Sequence, residues 1–291
     1  MLHSTTVAGL RITTATTSEV LAELEQRITH GEKTRIVTPY SEFLARALSD
    51  QLFLALLNSA DLSLADGVAI AWADTFLRVP VQTQNHFVAY CTIWAQVVKT
   101  GLGIMSNRAS VHGHIPETIR GSEFVYDLCE LAERLGKSVF IAGGFGEVPS
   151  QAATVLKELY PKLHIAGTSN VRIADIESAE AQALAAQIRT SNTSFLFLAL
   201  GPQKQEAFMM RYWQELGVDV AIGLGGTFEY MVGRKKTPPR FLRKLGLEWL
   251  FRLITEPKRI KRIYTGTAGL VFGLVHYKLE AWTKQRPAGT L

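Results

Sequence analysis

The chain has 291 residues, of which 47% are hydrophobic and 20% are charged. This composition excludes a disordered protein and can supply the core of one large domain, with or without an appendage. The two cysteines, Cys91 and Cys129, match neither a disulfide framework nor a zinc module, so we expect a reducing, cytoplasmic setting. The N-terminus lacks the pattern of a signal peptide, and the uncharged stretch 263–277 is shorter than the ~20 apolar residues of a spanning helix.

The charge is distributed unevenly along the chain. The net charge is +5, but residues 234–291 carry 14 Lys and Arg against 3 Asp and Glu, which gives +11 there and −6 over the first 233 residues. A basic end on an acidic body indicates an anionic partner, such as phospholipid, lipid pyrophosphate or nucleic acid. A solvated charged surface is the alternative. We predict a protein that contacts a membrane surface without crossing it.

Short apolar runs alternate with longer segments of helical periodicity. Apolar strands separated by amphipathic helices are typical of a mainly parallel sheet with helices on both faces. We therefore predict a Rossmann-like α/β domain over residues 1–237, with an irregular insertion at about 80–120. Within the insertion, residues 87–98 fit either a buried helix or a surface-seeking helix. The runs that predict strands are TRIVT, DLSLAD, KSVFIAGG, LHIAGTS, SFLFLALG and VDVAIGLGG.

A basic, aromatic segment from about Pro238 to Arg262 follows the α/β region and predicts a helical appendage over residues 238–291. Arg252, Arg259 and Arg262 are spaced by seven and then three residues. They would share one helix face if the helix continued through Pro257, although a proline often ends or kinks a helix.

Ligands of parallel α/β sheets bind beyond the carboxyl ends of the strands. Glycines at these positions suit either a tight turn or a phosphate-binding rim, and their recurrence favours the rim. No pair of carboxylates follows a strand, and His112 and His114 have no third ligand suggested nearby, so we predict no metal site. The strand-end residues are Thr38, Asp66, Gly143, Gly144, Gly201, Gly225 and Gly226.

Five segments, in order along the chain, are similar to one known family. They are TPYSEF at 38–43, LADGVAIAWA at 64–73, LGPQKQE at 200–206, GLGGTFEYMVGRKKTPPRF at 223–241 and GLEWLFRLITEPKRIKR at 246–262. This ordered set resembles the WecG/TagA/CpsF glycosyltransferases over most of residues 34–262.

The resemblance implies a metal-independent, inverting transferase that needs no cofactor. Its co-substrate would be a UDP-N-acetylhexosamine, commonly UDP-ManNAc, and its acceptor a sugar linked to undecaprenyl pyrophosphate. The products would feed teichoic acid, enterobacterial common antigen or capsule-like polymers. The resemblance further implies a peripheral location on the inner face of the cell membrane, and we expect no nucleic-acid partner. The family often associates when not at the membrane, so a homo-oligomer is possible and the oligomeric state stays open.

The resemblance also implies roles for individual residues. Asp66 matches the family's proposed catalytic base, and its alternative role is to cap the following helix. Thr38 matches a threonine that would bind substrate near Asp66, whereas Tyr40 stands where the family frequently has asparagine. Arg252, Arg259 and Arg262 would bind the acceptor pyrophosphate. The implied donor-binding residues are Gly143, Gly144, Gly201, Gln203, Lys204, Gln205, Glu206, Gly226 and Glu229.

Lys204 would neutralise the departing UDP, although residues 204–206 also fit an ordinary solvated first turn of a helix.

Two other classes of protein stay open. A nucleotide-dependent oxidoreductase would explain AGGFG at 142–146, but the G-x-G-x-x-G spacing is not met. A non-catalytic, peripheral membrane protein that binds anions through its tail would leave the polar strand ends unexplained.

Overall fold

A computed structural model describes residues 2–106, 113–237, 239, 248–257 and 260–284. The chain begins with an antiparallel hairpin of β1 (Ser4–Val7) and β2 (Leu10–Thr13). A six-stranded parallel sheet follows, in the order β4–β3–β8–β7–β5–β6. The prediction of a mainly parallel sheet is confirmed, and each predicted run contains a strand. The strands are β3 (Thr34–Val37), β4 (Leu62–Ser63), β5 (Ser138–Gly143), β6 (His164–Ser169), β7 (Phe195–Ala199) and β8 (Val220–Gly223).

The described residues between the hairpin and β5 form six helices. The first begins with a capping box, in which the Thr16 side chain and the Glu19 side chain each accept a backbone N–H of the other residue. Asp50 caps a helix by accepting the N–H of Phe53 at 2.9 Å, and this cap separates α2 from α3 in the apolar segment 41–58. These helices are α1 (Thr17–Thr29), α2 (Ser41–Ala47), α3 (Gln51–Asn58), α4 (Val68–Arg78), α5 (His86–Ser106) and α6 (Gly121–Arg134).

The C-terminal half contains α7 (Val148–Leu159), α8 (Ala179–Thr190), α9 (Lys204–Leu216), α10 (Thr227–Met231), α11 (Glu248–Thr255), α12 (Ile260–Tyr264), a π-helical turn (Thr265–Gly269) and α13 (Leu270–Lys284). Helix α11 ends before Pro257, and α12 begins after it. The continuous helix that would align the three tail arginines is therefore not formed, because proline lacks an N–H and disfavours helical backbone before it.

Strands β3, β5, β7 and β8 divide their side chains between two cores, which lie on opposite faces of the sheet. Val139 and Ile141 of β5 pack with α1, α6, α7 and α10. Phe140 and Ala142 of the same strand point to the other face, where α2, α3, α4, α5, α8, α9 and α13 pack. Both faces are covered, as the apolar runs of the sequence predicted.

The N-terminal hairpin supports the edge strand of the sheet. Strand β4 has two residues, and its free side lies beside β2. The buried Thr13 side chain accepts the N–H of Ser63 at 3.1 Å. The hairpin thereby supplies a hydrogen bond that a further strand would otherwise provide.

Helix α5, inside the predicted insertion, and the C-terminal α13 pack against each other on one face of the molecule. Leu274 of α13 is buried in the core with α4. The Lys278 ammonium donates to Gln96 of α5 at 2.7 Å and to the Phe76 carbonyl of α4, and burial lowers the pKa of Lys278 to about 8. No helix in the described part of the chain is both long and apolar enough to cross a membrane.

Candidate active site

Strands β3, β4 and β8 bring Thr38 and Asp66 to one edge of the sheet. Strand β3 lies between the other two, and all three run parallel. The buried Thr38 hydroxyl donates to the Gly223 carbonyl at the end of β8, at 3.2 Å. The Asp66 N–H donates to the Pro39 carbonyl at 2.9 Å, so the loop after β4 runs beside the extension of β3. The two residues predicted as catalytic therefore lie at adjacent strand ends.

The backbone around Asp66 explains the Asp-Gly pair. The N-cap position of α4 belongs to Gly67, whose φ of 92° and ψ of 164° favour glycine, and the helix begins at Val68. Asp66 thus precedes the cap position instead of occupying it. Its side chain is partly exposed at the carboxyl edge of the sheet.

Gln205 and Glu206 are buried and do not form a solvated first turn. The Gln205 amide nitrogen donates to Glu206 Oε1 at 2.8 Å, and the amide oxygen accepts the Gly225 N–H at 3.1 Å. The same amide leaves no room for a Cβ at Gly223. Gln205 therefore connects the start of α9 to the glycine loop after β8.

The carboxyl group of Glu206 is held in an apolar environment. Burial raises its pKa to about 7, against the opposing effect of the hydrogen bond from Gln205. Its Oε2 atom has no hydrogen-bond partner among the described residues. At neutral pH the protonated and ionised forms of this group are both populated, whereas an exposed glutamate is almost fully ionised.

The other predicted donor-binding residues line the same strand ends. Gly201 and Gln203 have φ of 93° and 71° in the turn that leads into α9. The Lys204 ammonium donates to the Ile173 carbonyl at 2.9 Å, in the loop before α8. The Gly144 N–H donates to the Ala199 carbonyl at 3.2 Å, and this bond ties the end of β5, including Gly143, to β7.

After β8, Gly226 is the N-cap residue of α10, and the carboxylate of Glu229 pairs with the Lys235 ammonium. The donor-binding role of this group stays a prediction.

Arg262 brings the C-terminal segment to the start of α2. Its guanidinium donates from Nη2 to the Tyr40 hydroxyl at 3.0 Å and from Nε to Glu42 at 2.9 Å. Burial, followed by the charge of Glu42, raises the pKa of the Tyr40 hydroxyl. Arg252 lies in α11 but its side chain is not described, and Arg259 lies outside the described residues, so the pyrophosphate site of the three arginines stays a prediction.

Glu42 carries no motif that marks it as a site residue in the sequence. Its signal is a carboxylate in the first turn after the β3 strand end, in a chain whose C-terminal segment is strongly basic. Opposite charges on two segments are compatible with contact, but they do not specify which residues pair.

His112 lies outside the described residues, and the described partner of His114 is a carboxylate. The His114 N–H donates to Asp74 Oδ2 at 3.0 Å. Within the described ranges, no group of three or more His, Cys, Asp and Glu side chains is placed to hold a metal ion.

A parallel sheet covered by helices on both faces defines a Rossmann-like α/β protein, a class whose ligands bind at the carboxyl edge of the sheet. The model of the glycosyl transferase WecG/TagA/CpsF family matches residues 5–92 and 82–284 of this chain. The chain therefore belongs to this glycosyltransferase family.

Three relatives share one activity in their names, N-acetylglucosaminyldiphosphoundecaprenol N-acetyl-beta-D-mannosaminyltransferase. The protein of Bacillus spizizenii is 27% identical over 268 residues, which cover 89% of each chain. That of Bacillus subtilis is 27% identical over 78% of this chain and 82% of its own. That of Staphylococcus aureus is 25% identical, over 78% of this chain and 74% of its own.

Proposed function

We propose that this glycosyltransferase moves N-acetylmannosamine from a UDP-sugar to an N-acetylglucosamine carried on undecaprenyl diphosphate, in teichoic acid or a related cell-surface polymer. The observation that carries the proposal is the position of Asp66 and Thr38 at the ends of adjacent strands, in a chain of this family. The sugar and the acceptor come from the shared name of the relatives.

The proposed reaction is a single displacement with inversion at the anomeric carbon. The Asp66 carboxylate takes the proton of the acceptor hydroxyl as that oxygen attacks the anomeric carbon. The bond from this carbon to the UDP oxygen breaks on the opposite face, and UDP leaves with the electron pair. Thr38, fixed by its bond to Gly223, is suited to hold the sugar beside Asp66.

The leaving diphosphate develops negative charge, and the proposal assigns this charge to backbone N–H groups and cations of the protein. The loop after β8 is held by Gln205, so its backbone is organised before substrate binds. Lys204 is near the same strand ends, and it would exchange its bond to the Ile173 carbonyl for a phosphate oxygen. No step of this proposal requires a metal ion.

The acceptor would enter from the membrane, with the protein on its inner face. Arg252, Arg259 and Arg262 are the proposed ligands of the acceptor diphosphate, because guanidinium groups form paired hydrogen bonds with phosphate oxygens. Arg262 already lies at the edge of the site through Tyr40 and Glu42. The net charge of +11 in residues 234–291 supports attraction to anionic lipid.

The test is transfer from UDP-ManNAc to a lipid-diphosphate-linked N-acetylglucosamine by the full chain. We expect Asp66→Asn to lower turnover by about 10²–10⁴-fold while the affinity for UDP is retained. The control is Asp219→Asn, which removes a carboxylate next to the start of β8, at the opposite edge of the sheet. Equal losses of UDP affinity and turnover in Asp66→Asn would make Asp66 a binding residue instead of a base.

A further inference from the structure

Helix α5 is an unusual surface helix, because its outward side is apolar. Ala89, Ile93 and Gln96 are buried toward the body of the protein. The opposite side carries hydrophobic and aromatic residues at intervals of three or four positions, which is the spacing of one helix face. Phe87, Tyr90 and Val98 are exposed, and Trp94 between them is half-buried. Phe87 is 75% exposed and Val98 is 61% exposed.

Residues of α13 extend this row. Trp94 of α5 and Phe272 of α13 are in edge contact with ring centroids 5.3 Å apart, and Phe272 is 57% exposed. We call this surface the α5 face, consisting of Phe87, Tyr90, Trp94, Val98 and Phe272. Contiguous apolar surface of this kind on a folded domain marks an interaction site more often than a solvated surface.

The α5 face is rigidly attached to the body. The Trp72 indole of α4 donates to Thr100 of α5 at 2.9 Å, and Lys278 of α13 donates to Gln96 at 2.7 Å. Packing between α4, α5 and α13 therefore fixes the direction in which the apolar side chains point. A fixed face can dock the whole molecule in one orientation.

The charge around the α5 face fits an anionic lipid surface. From Val79 to Pro116 the sequence contains no Asp or Glu. Lys99 is exposed next to Val98, and α13, which supplies Phe272, ends at the exposed Lys284. The carboxylate of Glu280 on α13 is paired with His276 at 3.0 Å. Tyr90 and Trp94 are aromatic residues with a polar atom, a type that favours the boundary between headgroups and acyl chains.

The α5 face and the candidate site lie on different elements. The face is formed by α5 and α13, whereas Thr38 and Asp66 lie at the carboxyl ends of β3 and β4.

We propose that the α5 face is a membrane-docking surface, whose apolar side chains enter the lipid headgroup boundary while nearby cations contact lipid phosphate. The inference rests on the proposed function, because a lipid-linked acceptor requires the enzyme to work at a bilayer. Docking through α5 and α13 would hold the body of the protein, and with it the carboxyl edge of the sheet, at a constant distance from the lipid surface.

The experiment measures partitioning of the full chain onto phosphatidylcholine vesicles, with and without phosphatidylglycerol. The variant Phe87→Gln/Val98→Gln removes two exposed apolar side chains. Glutamine favours helical backbone, so we expect α5 to stay folded. We expect it to lower partitioning at least about tenfold on both vesicle types, because the lost term is apolar burial. The matched control is Leu52→Gln/Leu159→Gln, on α3 and α7, where the side chains are 85% and 56% exposed. We expect this control to partition like the unmodified chain.

Equal partitioning of the unmodified chain and Phe87→Gln/Val98→Gln would overturn the inference. Sedimentation of the lipid-free proteins tests whether the face instead binds a second copy of the chain. A dimer that dissociates in this variant, with vesicle binding unchanged, would also overturn it. Transfer to a detergent-dispersed acceptor is measured in parallel, and we expect the variant to retain the unmodified rate. Absence of transfer by every protein would reject the proposed function, whereas the partitioning result judges the α5 face alone.

Discussion

Glu206 is the residue whose environment differs most from what its position in the sequence suggests. Its pKa of about 7 in the folded protein is above its ordinary value of 4.5, because burial penalises the carboxylate. A carboxyl group with a raised pKa favours the folded state fully below pH 4.5, and this contribution is lost as the pH rises through about 7.

We expect Glu206→Gln to remove this loss. From pH 5 to pH 8, the free energy of unfolding of the unmodified chain should fall by about 2 kcal/mol more than that of the variant. Urea unfolding at the two pH values measures the difference. The control is Glu215→Gln, an exposed position on the same helix, α9, which should leave the pH dependence unchanged. A parallel pH dependence of Glu206→Gln and the unmodified chain would show that the buried carboxyl group is not the source.

At this scale the sequence predicted where the candidate catalytic residues lie but not which side chains would be buried beside them. Thr38 and Asp66 follow apolar runs, and the end of a predicted strand is a definite place in a parallel sheet. Gln205 and Glu206 look like a solvated first turn because amides and carboxylates usually are exposed there. Their burial depends on the approach of Gly223 from β8, which no local pattern reveals.

Among the elements, the hairpin of β1 and β2 matters for the site because it supports the strand that leads to Asp66. Strand β4 is short, and Thr13 satisfies its Ser63 N–H. Thr13→Val keeps the shape of the side chain and removes the acceptor. We expect the variant to lower the free energy of unfolding by about 1–3 kcal/mol, the cost of leaving a buried N–H unpaired.

The matched control for this prediction is Thr6→Val, an exposed position of β1 in the same hairpin. Urea unfolding compares the two variants, and hydrogen exchange of the Ser63 amide reports on the local effect. Equal stability of the two variants, with slow exchange at Ser63, would mean that β4 does not depend on the hairpin.

The parallel strands were predictable because each is apolar throughout, bounded by turn residues and followed by a helical pattern. The hairpin was not predicted, since its strands have four residues each and Ala8-Gly9 is not a pair that strongly signals a tight turn. The end of α11 before Pro257 was predictable from the proline alone. The outward direction of Phe87 and Val98 on α5 was not, because periodicity in a uniformly apolar segment does not say which side is covered.

For the whole molecule, the described C-terminal segment adds to the core of the α/β body. Leu270, Leu274 and Val275 are buried in the same core as α2 and α4. The sequence shows that this segment is basic and helical, but it does not show which surface its apolar side meets. That information comes from packing between residues far apart in the chain.

We therefore expect the chain to unfold in one cooperative transition that includes α13. Leu274→Ala should shift the whole transition by about 2–4 kcal/mol, the usual cost of a cavity in a core. Phe272→Ala, at an exposed position on the same helix, should have a much smaller effect. Circular dichroism and tryptophan fluorescence during urea unfolding give the measurement. A separate early transition for the C-terminal segment, with the sheet still folded, would show that it is an independent unit.

The position of β3 between β4 and β8 has a consequence for how the protein is made. Thr34 of β3 pairs with Val220 of β8, so the strand that precedes Thr38 gains its inner neighbour only after most of the chain has been synthesised. Until then β3 and β4 expose an open edge, which is a surface on which unfinished chains can pair with one another. Arg262 reaches Tyr40 later still. The candidate site is therefore assembled only late in synthesis. We expect chaperones to protect the open edge of β3 in the nascent chain until β8 has been made.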